Sequence, residues 1–407
     1  MFAFGVIFLR KLDFPNWKGI MMEYLFYIPT KIYHGAGKLN ILHTLEMPGK
    51  KALIVTTKGK SVERLGYLGR LCEQLQMAKI SYCCFREVST NPTTEDVAKG
   101  VAVVKENGCD FIVGLGGGSA LDAAKAIALV ATNGGDIWDY EQMLSGAGKP
   151  VEQIPLPLIA IPTTAGTGSE ADAGFVINNI VTKQKNGIGS PYSFPQISIV
   201  DPELMASVPP LFTAFQGFDV LFHAIECYLS KGATPISDAL VLETVRRVAT
   251  FLPRAVADGS DMEARDEMAI ASTMAGMIIS TSALSLAHAI EHSLSGVCPE
   301  LTHGCGLLLI GSAYLRRCAG IPACSERMIR LADAMGRENP TEPVELVNAF
   351  ETLEKKCGVA NLKMSDYGIV PDDFPRIAEG SHGRGYYNDL GGATDEEVVK
   401  ILNASYR

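Results

Sequence analysis

No apolar run in the sequence reaches the roughly 18–20 residues that a bilayer-spanning helix needs, so a transmembrane helix is not expected. A basic cluster is also missing. The formal net charge is −9, from 36 Lys and Arg against 45 Asp and Glu, and such a surface does not suit a nucleic-acid partner. The ten cysteines include no CxxC pair, although Cys83 and Cys84 are adjacent. A cysteine-built zinc site is therefore not expected, and the thiols read as reduced and mostly buried in a cytoplasmic protein. The first nine residues, MFAFGVIFL, are apolar, but the basic pair Arg10-Lys11 follows them, the reverse of a secretory signal. Because Met21 and Met22 stand in tandem before a regular strand pattern, residues 1–21 read as an N-terminal extension of a chain that folds from near Met22.

What remains is an ordinary globular composition, 47% hydrophobic and 20% charged over 407 residues, enough for two filled cores. The first half alternates. Apolar runs at Lys51–Thr57, Ile80–Phe85, Asp110–Leu115 and Leu158–Pro162 read as buried strands. Between them, Val62–Gln76, Thr94–Asn107 and Ser119–Ala131 have helical periodicity, the second with a Thr cap and Gly108 at its end. This order predicts a parallel, Rossmann-like sheet covered on both faces. After Asp201 prolines punctuate a connector, and Phe212–Ser230, Pro235–Leu252 and Met262–Leu294 read as helices. Two domains are expected, an α/β dinucleotide-binding domain over 22–200 and an all-α domain over 201–407, sharing a cleft.

Two polar glycine turns follow predicted strands. Gly114-Leu-Gly116-Gly117-Gly118-Ser119 opens a helix, where backbone N–H groups and the helix dipole can hold a pyrophosphate. It only approximates GxGxxG, and a tight turn without a ligand would look the same. Pro162-Thr163-Thr164-Ala165-Gly166-Thr167-Gly168-Ser169-Glu170 follows the next strand. Ligands collect at the carboxyl ends of parallel strands, and two such turns would line one crevice.

Of seven histidines, four lie in three short segments of the second half. Asp219 and His223 are four apart in GFDVLFHAIECY, on one helical face. His288 and His292 repeat that spacing in SLAHAIEHSL, and His303 follows in ELTHGCG beside Gly304 and Gly306. A single such histidine is ordinarily a core or surface residue. Four with an aspartate point to a divalent metal, and nitrogen and oxygen donors suit Fe²⁺ or Zn²⁺. His34, His43 and His382 stand outside this set.

IPTTAGTGSEAD, GGGSALDAAKAIA, VDPELMASVPP, GFDVLFHAIECY and HAIEHSLSGVCPELTHG, in this order, resemble the signature segments of the iron-containing (group III) alcohol dehydrogenases, over about Tyr24 to Tyr406. The resemblance implies the dehydroquinate synthase-like fold and hydride transfer between NAD(P)(H) and a small primary alcohol, aldehyde or ketone. It implies metal ligands Asp219, His223, His288 and His303, with His292 near the metal as a substrate contact or proton relay. It places Gly116, Gly117, Gly118 and Ser119 at the pyrophosphate, Thr163, Thr164 and Thr167 near the nicotinamide, and Lys185 at the cofactor ribose. Asp122 and Lys125 match fixed positions of the same turn and helix, where capping or internal pairing competes with cofactor contact.

The His288–His303 interval is one residue longer than in the best-known members, and Thr302 stands where proline is common. Where NAD-specific members carry an aspartate after the first strand, this chain has Thr57, followed by Lys58 and Lys60, which leans toward NADP(H) over NAD(H). Glycerol-type dehydrogenases and dehydroquinate-synthase-like lyases share the fold, but the lyases need cationic side chains that the ligand-bearing segments lack. A homo-oligomer, a dimer or larger, is implied by the resemblance.

Overall fold

A computed structural model describes residues 24–407, so the expected extension over residues 1–21 lies outside the described residues. Eight strands run β1 (Lys31–His34), β2 (Lys51–Thr57), β3 (Ser81–Val88), β4 (Phe111–Gly116), β5 (Leu158–Pro162), β6 (Gly174–Asn179), β7 (Gln184–Gly189) and β8 (Ile197–Val200). Six form one parallel sheet in the order β1-β8-β5-β4-β2-β3, while β6 and β7 pair as a separate antiparallel hairpin. The helices of this half are α1 (Ser61–Arg64), α2 (Tyr67–Met77), α3 (Thr94–Asn107) and α4 (Gly118–Asn133).

The apolar strand runs are explained by two covered faces. Leu53 and Val55 of β2 pack with Val97, Val101, Ala123 and Ile127 of α3 and α4. Their neighbours Ala52 and Ile54 point the other way, into a layer with Leu68, Leu71 and Leu75 of α2. From β2 the chain runs outward to the edge strand β3, then returns past β2 to β4 and on to β5. The turns after β2 and β4 therefore diverge and leave a crevice at the carboxyl edge, the usual ligand position of such sheets.

Three expectations are refined. The helix read over Val62–Gln76 is interrupted at Gly66, which has a left-handed φ of 76°. The run Met262–Leu294 divides into α7 and α8, below, bent by 103° at the break. The short strands β1 and β8 and the β6–β7 hairpin were not read from the pattern. Four-residue strands show too little of their period to be told from loop.

The second half is helical: α5 (Pro210–Tyr228), α6 (Pro235–Ala257), α7 (Met262–Thr281), α8 (Leu286–Val297), α9 (His303–Ala319), α10 (Ser325–Ala334), α11 (Val344–Lys356), α12 (Phe374–Gly380), α13 (Arg384–Asn388) and α14 (Asp395–Ser405). Helix α5 is almost wholly buried, and Phe218 and Phe222 meet Phe350 of α11 edge to face at 5.4 and 5.6 Å. No single helix among the described residues is long and apolar enough to cross a membrane.

The turn after β5 ties the halves together. Ala165 N donates to Gln216 Oε1 of α5 at 3.1 Å, and Thr273 Oγ1 of α7 donates to the buried Glu170 at 2.7 Å. Gly168 and Gly276 touch backbone to backbone, so a Cβ on either would overlap the other's main chain.

Gly276→Ala should therefore cost at least about 1–3 kcal/mol, as overpacking does. Gly69→Ala, in α2 and facing open space, should be neutral or stabilise by about 0.5–1 kcal/mol. Denaturant midpoints of the two variants, compared with the parent chain, check both signs.

Candidate active site and metal centre

The two glycine turns meet. Thr163 N donates to Gly116 O at 2.9 Å. A Cβ on Gly117 would lie 3.1 Å from the Thr164 side chain, and one on Gly118 would lie 2.6 Å from Thr167 Cγ2. Gly116 has a φ of 152°, and α4 begins two residues later with no side chain capping its first N–H groups. Free N–H groups at a helix start, with the helix dipole, can hold an anion. Ser119 beside it donates its hydroxyl to Thr90 O. Thr57 ends the adjacent strand, two residues past the Val55–Gly114 pair of the ladder. Lys58 donates to Ser89 Oγ at 3.0 Å and lies 3.8 Å from Asp96.

Asp122 and Lys125 are used inside the protein. The Asp122 carboxylate accepts from Ser169 Oγ at 2.8 Å and Val176 N at 2.9 Å. Lys125 donates to Ser169 Oγ, Asp172 and Gly174 O. Of the two roles open to Asp122, the structure displays internal pairing. Burial pushes Asp172 up to about 7, although Lys125 acts against it.

Asp219, His288 and His303 bring donor atoms within 4.8 Å of one another, and His223 lies beside Asp219. Nε2 of His223, His288 and His303 lie 3.6, 3.5 and 3.3 Å from Asp219 Oδ1. Helix α5 supplies Asp219 and His223 one turn apart, α8 supplies His288, and His303 is the first residue of α9. This approach requires Gly304, because a Cβ there would overlap the Phe215 carbonyl of α5. The His223 and His288 rings stack at 4.6 Å, and His292 borders the group with its ring 5.7 Å from that of His303. Asp219, His223 and His288 are at most 5% exposed, whereas the His303 side chain is 26% exposed, so the site opens on the His303 side.

Two buried carboxylates absent from the expected site complete it. Glu226 accepts from His288 Nδ1 and also from His288 N at 3.0 Å. Glu291 accepts from His303 Nδ1. Each turns the other ring nitrogen, Nε2, toward Asp219 and makes it a better donor to a metal. Their signal lay in the spacing: Glu226 is seven residues after Asp219 and Glu291 three after His288, on the ligand faces of apolar helices. Lys185, on β7, brings its ammonium within 3.5 Å of Glu291.

Residues 29–202 match the description "Iron-containing alcohol dehydrogenase", and residues 213–406 match "Fe-containing alcohol dehydrogenase family, C-terminal". The chain belongs to the iron-containing alcohol dehydrogenase family. It is 37% identical over 363 residues to the choline dehydrogenase of Bacillus subtilis (strain 168), covering 87% of this chain and 88% of that relative. It is 35% identical to the NAD-dependent methanol dehydrogenase of Bacillus methanolicus, over 87% and 92% of the two chains. Among solved structures, an archaeal halo-thermophilic alcohol dehydrogenase from a Red Sea brine pool superposes with a TM-score of 0.91 at 33% identity, covering 95% of this chain and all of that one.

The chemistry of this dehydrogenase's donor set fits a metal ion. Asp219 Oδ1 and His288 Nε2 are buried without hydrogen-bond partners, a cost that a cation at their focus removes. Burial opposes ionisation of Asp219, yet His223 and His303 hold it well below the carboxylate range. Burial likewise opposes charge on His288, but Glu226 and Asp219 push it up to about 10. His223, without such a carboxylate behind it, is driven by burial down to about 3. A proton on His288 thus serves as a cation in the metal-free protein, and a metal ion must displace it.

Metal affinity should therefore rise with pH through the neutral range, by up to tenfold per pH unit for each proton displaced below the His288 value. Calorimetric titration in buffers of different ionisation enthalpy counts those protons. Glu226→Gln should weaken metal binding by about 10–100-fold, measured by competition with a chromophoric chelator.

Proposed function

We propose that the chain is an NAD(P)(H)-dependent alcohol dehydrogenase and aldehyde reductase in which Asp219, His223, His288 and His303 hold one divalent ion, iron first and zinc as the alternative. The observation that carries this reading is the convergence of three imidazoles on the unpartnered Asp219 Oδ1, in the half that faces the paired glycine turns. When bound, the ion supplies Lewis acidity at the alcohol oxygen and the nicotinamide supplies the hydride-accepting carbon.

The protein's own groups divide the remaining tasks. Glu226 and Glu291 fix the tautomers of His288 and His303. Burial, with Lys185 and His303 adding to it, holds His292 well below the usual imidazole range. A neutral His292 at the open side of the cluster can take the proton of the alcohol and return it in the reverse direction. Gly116, Gly117, Gly118 and Ser119 cradle the pyrophosphate, while Thr163, Thr164 and Thr167 line the nicotinamide side. Lys185 serves the cofactor ribose from the same wall as Glu291. The dinucleotide half extends over 22–200 and the metal half over 201–407. The substrate is a small alcohol or aldehyde, the protein acts in the cytoplasm, and the assembly is a homo-oligomer.

Thr57 at the end of β2, with Lys58 and Lys60 following, supports NADP(H) as the preferred cofactor. No carboxylate at that position repels a 2′-phosphate. On this reading kcat/KM is higher with NADPH than with NADH, and Thr57→Asp inverts the order by tenfold or more, since like charges in contact cost several kcal/mol.

His288→Ala should lose both stoichiometric metal and turnover; a variant that kept both would contradict the site. His292→Ala should keep its metal and lose kcat by about 10²–10⁴, the usual contribution of a positioned proton-transfer group. Metal analysis together with an aldehyde panel and both reduced cofactors measures each outcome.

A further inference from the structure

Three carboxylates lie buried around the metal-binding cluster: Asp219 is 4% exposed, and Glu226 and Glu291 are fully buried. Buried charge must be compensated. Asp219 has only imidazoles within ionic range, and Glu226 has only His288. Glu291 has His303 and, at 3.5 Å, Lys185 Nζ. Among the described residues Lys185 is the one lysine or arginine within ionic range of any of the three. Its side chain is 5% exposed, and among the described residues no hydrogen bond from the ammonium to a protein acceptor competes with Glu291. Of the nearby Asp122 and Asp172, Asp172 accepts from Lys125, and Asp122 feels both Lys125 and Lys185. Coordinating histidines are neutral.

We infer that Lys185 sets the oxidation state of the ion that the pocket accepts, because its ammonium adds one positive charge to the two of a divalent ion and so balances three carboxylates. A trivalent ion in the same pocket leaves one positive charge uncompensated in a low-dielectric interior. The lysine thereby favours Fe²⁺ over Fe³⁺ without touching the metal. In the one-electron couple Fe³⁺ + e⁻ ⇌ Fe²⁺, its charge shifts the balance toward the reduced ion. Lys185 is on this account a positioning and electrostatic residue rather than a ligand. The inference rests on the single-ion reading of Asp219, His223, His288 and His303.

The test uses the full chain as wild type, Lys185→Met, Lys185→Gln and Lys185→Arg. Zinc affinity is read by chelator competition, and the Fe³⁺/Fe²⁺ midpoint by mediator titration followed through the high-spin ferric resonance. Removing the positive charge should tighten Zn²⁺ binding by roughly tenfold in the Met and Gln variants. It should also favour ferric over ferrous iron by roughly tenfold, a midpoint about 59 mV lower for a one-electron couple. The Arg variant keeps the charge and should stay close to wild type in both measurements. A folded Met or Gln variant with unchanged or weaker zinc binding and an unchanged or higher midpoint overturns the inference. A wild-type chain that binds no stoichiometric metal overturns instead the reading on which it rests.

Discussion

The architecture of the helical half follows from the cost of burying Asp219. A carboxylate inside an apolar helix bundle is tolerable only if positive charge or strong donors surround it. Three imidazoles with Nε2 at 3.3–3.6 Å from its Oδ1 surround it, and each is brought by a different stretch of chain. That requirement places α8 and α9 against α5, demands a glycine at 304, and puts Glu226 and Glu291 behind the rings they orient. Packing alone would fill the centre of such a bundle with leucine and phenylalanine, as the core around Phe218 and Phe222 does.

The cofactor half depends on close backbone approach rather than on charge. Its two turns touch through Gly117, Gly118, Thr164 and Thr167, and the second turn is clasped to α7 through Gly168 and Gly276. The contact that shapes the nucleotide crevice is thus continuous with the contact joining the two halves.

Much of this was legible in the sequence because the informative features are local. The buried strands β2, β4 and β5 announced themselves as apolar runs, and α3 by its Thr93 cap and Gly108 terminus. Asp219 and His223 share a helix, so their spacing alone places them on one face. The elements that escaped notice are those whose meaning is non-local. β1 makes sense only beside β8, which comes more than 160 residues later and itself lies between β1 and β5, and the 103° break between α7 and α8 is a turn into the site that hydropathy does not register. Glu226 and Glu291 looked like ordinary helix carboxylates until the histidines from other segments arrived beside them. Lys185 presents the same difficulty from the other side, since its partner lies more than a hundred residues further along the chain.

The pairing of β1 with β8 also orders events during synthesis. Lys31 has no ladder partner until Ile197 has been made, a wait on the order of ten seconds at ribosomal rates of about 5–20 residues per second. The sheet edge is therefore sealed late but still before His303 leaves the ribosome. All strands of the sheet are thus made before His303, and the cluster around Asp219 is complete only once α9 has begun.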